Sequence, residues 1–303
     1  MKKILFFILL IVLVPYIIVT IFIEDNEIKF IFKENMKVRV KHEDTGIIDV
    51  VPFEEYVTGV LAGEMPTSFH IEALKAQAVA ARSYVMKKME YNKDRDYDVV
   101  DTIMNQVYLS YDYLRSVWKE SYNDKINKIK TAVIETKGEY ISYNGDVAEA
   151  FFFSTSVGAT ENSGEIFSKQ LPYLVSVSST WDEISPLYST NKTISLKEFY
   201  NLLGLSYSDT LDIEKIDTTS TGRVNKIKIN GNTFTGGQMI DKLNLRSSFF
   251  EITKDGENVV INTKGYGHGV GMSQYGAEGM ARAGYTYDQI LKYYYTGVEI
   301  KKI

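Results

Sequence analysis

Between His70 and Glu90, the residues Ile71, Leu74, Ala78, Ala81, Val85 and Met89 recur at three- and four-residue spacing. That period places them on a single stripe of a long helix. The alanines on and around the stripe keep it shallow, so other backbones can pack close against it. Any fold of this chain has to bury this helix. Just upstream, Pro52 starts a shorter helix that carries Tyr56, Val57 and Val60; Pro66 then breaks the chain, and Ser68 is placed to cap the long helix. Glu64 lies between the two helices, in the turn Ala62-Gly63-Glu64-Met65-Pro66, with almost nothing charged beside it.

The rest of the chain reads as α+β. Met36 to Val40 and Ile47 to Val51 alternate like two strands around Asp44-Thr45-Gly46. A helical stretch spans about Ser121 to Thr136, and a strand follows from Glu139 to Tyr143 with Asn144-Gly145 as its hairpin turn. Ala148 to Phe153 reads as a buried strand that leads into the polar loop 154–162. Residues 186–262 differ in texture: short alternating strands, one helix near Ser195 to Leu203, and turns at Asn230-Gly231 and Asp255-Gly256. They form an expected inserted α+β subdomain, with 36–185 as the catalytic core before it and 263–303 as the C-terminal part of that core. In the last part Gly265, Gly267, Gly269 and Gly271 fit neither nucleotide-binding glycine pattern. Glycines this dense instead permit close backbone approach or positive φ. Met272 to Ala283 reads as a helix ended by Gly284, Thr286 as the cap of a last helix, and Gly297 to Ile300 as a closing strand.

At the N-terminus, Lys2 and Lys3 precede an uncharged, mostly apolar run from Ile4 to Ile23. Its length matches the hydrocarbon thickness of a bilayer, and it lacks the small-residue cleavage site of a signal peptide. The expectation is a cytoplasmic tail (1–3), a single-pass membrane anchor (4–23), a tether (24–35) and an extracytoplasmic remainder, oriented by the lysines. A net charge of −5 gives no basic patch on which to argue nucleic-acid binding. With no cysteine, and with His42, His70 and His268 far apart and outside any H-E-x-x-H pattern, no metal site or cofactor is expected. The 22 tyrosines suit core packing and also stacking on sugar rings.

Several residues carry two readings each. Glu64, if buried in its apolar turn, would have a raised pKa and serve as a general acid; it would equally serve as a cap of the turn. Lys75 and Arg82, seven apart, fall on one line at the edge of the apolar stripe. They are either cations snorkelling from a core boundary or, for Arg82, a group facing a cleft shared with Glu64. His268 is either a second proton carrier or a hydrogen-bonding brace.

The flanking motifs are dense: Tyr56-x-x-Gly-Val-x-x-x-Glu64-Met-Pro, then Glu72-Ala-Leu-Lys-Ala-Gln-Ala-Val-Ala-Ala-Arg82-Ser-Tyr. To these add Asp101-x-x-x-x-Gln106-Val-Tyr108, Ser154-Thr155, Thr160-Glu161-Asn162 and Gly267-His-Gly-Val-Gly-Met-Ser-Gln-Tyr-Gly276. Together they resemble the stage II sporulation protein D family, whose members look like peptidoglycan lytic transglycosylases. The resemblance implies Glu64 as catalytic acid/base and Arg82 as a second residue needed for activity. It places Lys75, Gln77, Tyr84, Gln106, Ser154, Thr155, Glu161, Asp182, His268, Ser273, Gln274 and Tyr275 as substrate contacts. It implies cleavage of the β-1,4 bond between N-acetylmuramic acid and N-acetylglucosamine, on glycan strands stripped of peptides, during spore engulfment. Partners implied in the same way are an amidase (sporulation protein P) and a polytopic protein (sporulation protein M). Some relatives carry cysteine and histidine where this chain has Met104, Asn105, Phe153 and Ser156. A structural zinc is therefore not expected. Two other readings use the same residues: a non-catalytic glycan-binding activator of an amidase, and a hydrolase pairing Glu64 with Asp182 or Glu161.

Overall fold

The computed structural model describes residues 27–28, 36–102 and 105–303. The expected tail and anchor, most of the tether, and Met104 lie outside the described residues. Among the described residues no helix is long and apolar enough to cross a membrane.

The chain opens with β1 (Lys37–Lys41) and β2 (Ile48–Pro52), paired antiparallel with Val38 opposite Val51. Helices α1 (Phe53–Glu64) and α2 (Ile71–Tyr91) follow, then β3 (Val99–Val100), which lies parallel to β1. Next come α3 (Tyr111–Trp118), α4 (Tyr122–Glu135), and the hairpin of β4 (Glu139–Tyr143) with β5 (Asp146–Val147). Short elements succeed them: β6 (Phe152–Phe153), β7 (Gly158–Ala159), α5 (Ser163–Ile166) and β8 (Ser178–Ser179). A run of longer strands begins at β9 (Ser189–Ser195) and continues past α6 (Leu196–Leu203) into β10 (Ile213–Thr218), β11 (Val224–Ile229) and β12 (Asn232–Thr235). After α7 (Gly236–Leu243) come β13 (Phe250–Asp255) and β14 (Asn258–Lys264). The chain closes with β15 (Met272–Ser273), α8 (Gln274–Arg282), α9 (Tyr287–Tyr294) and β16 (Glu299–Lys302), the last pairing with β4.

Two hydrophobic cores organise these elements. The larger is built around α2. Leu74, Ala78, Ala81 and Val85 are fully buried in it with Tyr56, Val57 and Val60 of α1, Ile129 and Val133 of α4, and Met280, Ile290 and Leu291 of α8 and α9. The alanines admit neighbours on several sides, so α2 is buried nearly all round rather than along one stripe. The second core lies within residues 194–261. There the sheets β10-β11-β12 and β13-β14-β9 are packed by α6 and α7 through Phe199, Leu203, Met239 and Leu243.

Local expectations shift in two places. His70, not Ser68, caps α2, its ring nitrogen accepting from Glu72 N–H. Only Phe152 and Phe153 of the run Ala148 to Phe153 are strand, pairing parallel with Met272 and Ser273. The segment before them satisfies its backbone singly instead: Glu149 N–H donates to the Tyr173 hydroxyl, and Phe151 O accepts from Met272 N–H and the Tyr295 hydroxyl.

Candidate active site

Helix α1 ends on Glu64, and Met65 is already extended. A carboxylate there faces the free carbonyls of the last turn, which disfavours its charged form. The preceding face of α1 carries Gly59 and Gly63, one turn apart. A Cβ on Gly59 would lie 2.6 Å from Leu109 O, and one on Gly63 would lie 2.8 Å from Val107 O. The bare glycines therefore let the 107–109 backbone rest directly on the helix. That approach brings Val107 N–H to Glu64 Oε1 at 2.8 Å. Gln274, the first residue of α8, places its side-chain Nε2 3.4 Å from Oε2, a weak contact. Burial outweighs both bonds and pushes the Glu64 carboxyl above its ordinary range.

Glu64 opens onto a groove of about 380 Å³ whose other described walls are Tyr84, Asn105, Val107, Phe151 to Phe153, Phe167, Gly267 and His268. Among these Glu64 is the one carboxylate. The walls are mostly aromatic, and Tyr84 meets Phe151 and Phe152 edge-on. On the far side His268 packs against Phe151, Phe153 and Phe167. Its Nδ1 accepts from Val270 N–H at 3.0 Å, and the ring also bonds the backbone of Phe152. Burial, and then the Arg223 guanidinium, push its pKa down to about 4. With both nitrogens committed to backbone, His268 is a neutral brace that shapes the groove.

Of the fourteen residues singled out in the sequence, Glu64, Tyr84 and His268 line this groove and Gln274 touches Glu64. The others are elsewhere. Arg82 does not face a cleft with Glu64, and it does not snorkel: it is fully buried. Its Nε donates to both Glu54 oxygens (2.9 and 2.8 Å), Nη1 to Thr136 Oγ1 and Nη2 to Val133 O. It thus locks the first turn of α1 to the last turn of α4 and holds from below the helix that ends on Glu64. Lys75 pairs with Glu72 and Glu135. Gln77 is buried in the larger core with no side-chain hydrogen-bond partner among the described residues. Gln106 accepts from the Tyr56 hydroxyl and donates to Ala81 O.

The polar loop and the α8 cap likewise serve packing. Thr155 bonds Ser185. Ser154 O accepts from Tyr275 N–H, and the Tyr275 ring packs edge-on against Phe69. Asp182 accepts from Ser179 Oγ (2.5 Å), from Ser156 N–H (2.8 Å) and from Ser273, the N-cap of α8. Burial raises its carboxyl as well. Glu161 is buried in an ion pair with Arg223 Nε at 3.0 Å and also accepts from Thr221. Neither acid reaches the groove, so neither is placed as a partner of Glu64 in hydrolysis.

The positions where some relatives place metal-binding residues do not fit a metal here. Asn105 spends its oxygen on Val100 N–H and its amide on the Tyr84 hydroxyl, and Phe153 offers no donor. Ser156 is buried, its hydroxyl given to Ser179 O. Phe153 packs instead against His268.

Sequence reasoning missed Val107, Phe151, Phe152, Phe167 and Arg223 as groove or groove-supporting residues. Val107 contributes a backbone N–H, which no side-chain pattern reveals. Phe151 and Phe152 read as a buried strand because an aromatic run has the same composition in either place, and Phe167 stands alone with no pattern around it.

Comparison with known proteins agrees with these motifs. Residues 41–143 match the family described as stage II sporulation protein (SpoIID). Stage II sporulation protein D of Bacillus subtilis (strain 168) is 44% identical over 260 residues, covering 84% of this chain and 76% of that protein. The protein of the same name from Bacillus amyloliquefaciens is 43% identical over the same shares. An "Amidase enhancer" of Bacillus subtilis (strain 168) is 32% identical over 297 residues, covering 80% of this chain and 40% of that protein. The chain belongs to the stage II sporulation protein D family.

Proposed function

We propose that this protein is a lytic transglycosylase that cuts the β-1,4 bond between N-acetylmuramic acid and N-acetylglucosamine in peptide-stripped peptidoglycan. One observation carries the reading: Glu64 is a lone carboxyl, its pKa raised by burial, in a groove walled by aromatic rings. Such walls suit the apolar faces of sugar rings. Oε1 accepts the stronger bond, from Val107 N–H, and Oε2 has only the weak contact with Gln274, so Oε2 is the oxygen placed to carry the proton. Glu64 gives that proton to the glycosidic oxygen as the bond to the muramic C1 breaks. The muramic 6-hydroxyl then closes on C1, and its proton returns to Glu64. No water is consumed, the product is a 1,6-anhydro ring, and one carboxyl suffices where hydrolysis ordinarily takes two.

In this reading the protein works in spore engulfment, held to the cell membrane by residues 4–23 with its N-terminus in the cytoplasm. It acts with sporulation proteins P and M. A second reading is supported by the similarity to an amidase enhancer: the groove would bind glycan and activate an amidase without chemistry at Glu64.

The test is to incubate the purified chain, and its Glu64→Gln variant, with peptide-free glycan strands and to identify products by mass spectrometry. Anhydromuramic ends that vanish in the variant are expected. Reducing ends would overturn transglycosylation in favour of hydrolysis. Binding without cleavage in both proteins would favour the activator.

A further inference from the structure

Beside the Glu64 groove lies a second cavity of about 410 Å³ that shares Gly267 and His268 with it. Its outer wall comes from the second core and carries Arg246. This guanidinium is exposed and has no ion-pair partner among the described residues; it rests 5.4 Å from the ring centre of Tyr266. Tyr266 is itself 43% exposed and directly precedes Gly267, which lines both cavities. Arg246 is also tied to the groove by its backbone, its carbonyl accepting from Gly267 N–H at 3.0 Å. One carboxylate, Glu165, lines the same cavity, but it is spent locally. It accepts from Ser220 N–H and Ser220 Oγ, both at 2.7 Å, and from Asn162 Nδ2 at 2.9 Å.

We infer that Arg246 and Tyr266 form a subsite for an acidic amino sugar of the strand that crosses Glu64. This rests on the glycan-cleaving reading above and adds the feature of the strand that is recognised. A polymer cut at Glu64 has to continue along the groove, and the contiguous cavity is where the second core meets it. An exposed aromatic ring offers a stacking face to a sugar. An unpaired guanidinium offers a planar fork that matches a carboxylate. In a peptidoglycan strand the carboxylate carried by the sugars themselves is the lactyl group of muramic acid. It is charged only where no stem peptide is attached, because attachment turns it into an amide. Arg246 thereby selects stripped strands over peptide-bearing ones.

The experiment measures binding by the full-length chain in detergent, in a Glu64→Gln background so that strands stay intact. The two ligands are peptide-free glycan strands and the same strands with their lactyl carboxylates converted to methylamides. The unmodified groove is expected to prefer the free carboxylates by about fivefold, the upper end for a solvent-accessible ion pair. Arg246→Gln should abolish that preference and Arg246→Lys should retain part of it. Tyr266→Leu should weaken both strands alike. Absence of any preference, or its survival in Arg246→Gln, would overturn the subsite. Product analysis with unmutated Glu64 separates the two claims: anhydro ends without carboxylate preference would sink the subsite alone, whereas preference without cleavage would sink the transglycosylase and leave the subsite.

Discussion

At the scale of single residues, the site depends on how burial shifts its ionisable groups. Glu64 and His268 line one groove, and burial moves them in opposite directions: it raises the acid and lowers the base. For His268 this has a consequence for stability. Its folded pKa, about 4, lies below that of an unfolded histidine, so between the two values the unfolded chain binds more protons than the folded one. Stability from this group is complete at neutral pH and is lost as pH falls from the unfolded value toward 4. The loss should be on the order of 2 kcal/mol, discounted because the ring borders an open groove. Urea denaturation at pH 7 and pH 4.5 should show it, and a His268→Phe variant should lack that increment. An equal acid loss in the variant would place the proton uptake elsewhere.

At the scale of elements, the decisive contact is backbone against helix. Gly63 lets Val107 reach Glu64. Gly63→Ala puts a methyl group within 2.8 Å of Val107 O, so the 107–109 segment has to move off α1. Alanine should strengthen the helix itself by about 0.5–1 kcal/mol, which limits the net loss of stability. Turnover should nevertheless fall at least about tenfold, because Glu64 loses the bond that assigns its proton to one oxygen. Product release from peptide-free strands, measured beside the thermal midpoint, would reveal this; unchanged turnover would mean that the Val107 bond is dispensable. Contacts of this kind also mark the limit of what could be read from the sequence. The helices at 71–91, 122–135 and 196–203 and the strand at 139–143 fall within a residue or two of their expected places, because period and capping are local signals. Glu64 stood out for the same reason, as a lone charge in an apolar turn. Arg82 was misplaced because seven-residue spacing fixes a face of α2 but not what covers that face. The acid that takes it, Glu54, lies on another helix 28 residues away. The aromatic walls were invisible because they gather from 84, 151–153 and 167, which only the tertiary fold brings together.

At the scale of the whole molecule, the two cores are joined through one buried polar junction. Arg223, the residue before β11 of the second core, pairs with Glu161, which lies beside the larger one, and donates from Nη1 to Gly267 O at 2.9 Å. Gly269 fits there because it has no Cβ: one would lie 2.7 Å from Glu161 Cγ and 2.8 Å from Arg223 Nη2. The loop that carries His268 is thus clamped by a residue from the other core. Removing one partner leaves the other charged and buried, a loss of about 3–5 kcal/mol, whereas replacing both with apolar groups costs much less. Arg223→Met should therefore weaken the hold between the cores while leaving each intact. Both tryptophans, Trp118 and Trp181, pack on the larger core, so their fluorescence reports that core alone, while far-UV circular dichroism sees both. In the natural protein the two signals should unfold together. In Arg223→Met the circular dichroism transition should begin at lower denaturant than the fluorescence transition. Adding Glu161→Leu should bring the two back toward coincidence. Coincident transitions in Arg223→Met, shifted or not, would mean that the remaining contacts, among them Glu165 with Ser220 and Gly267 with Arg246, are enough to hold the cores together. The groove would then owe its shape to those contacts, not to this ion pair.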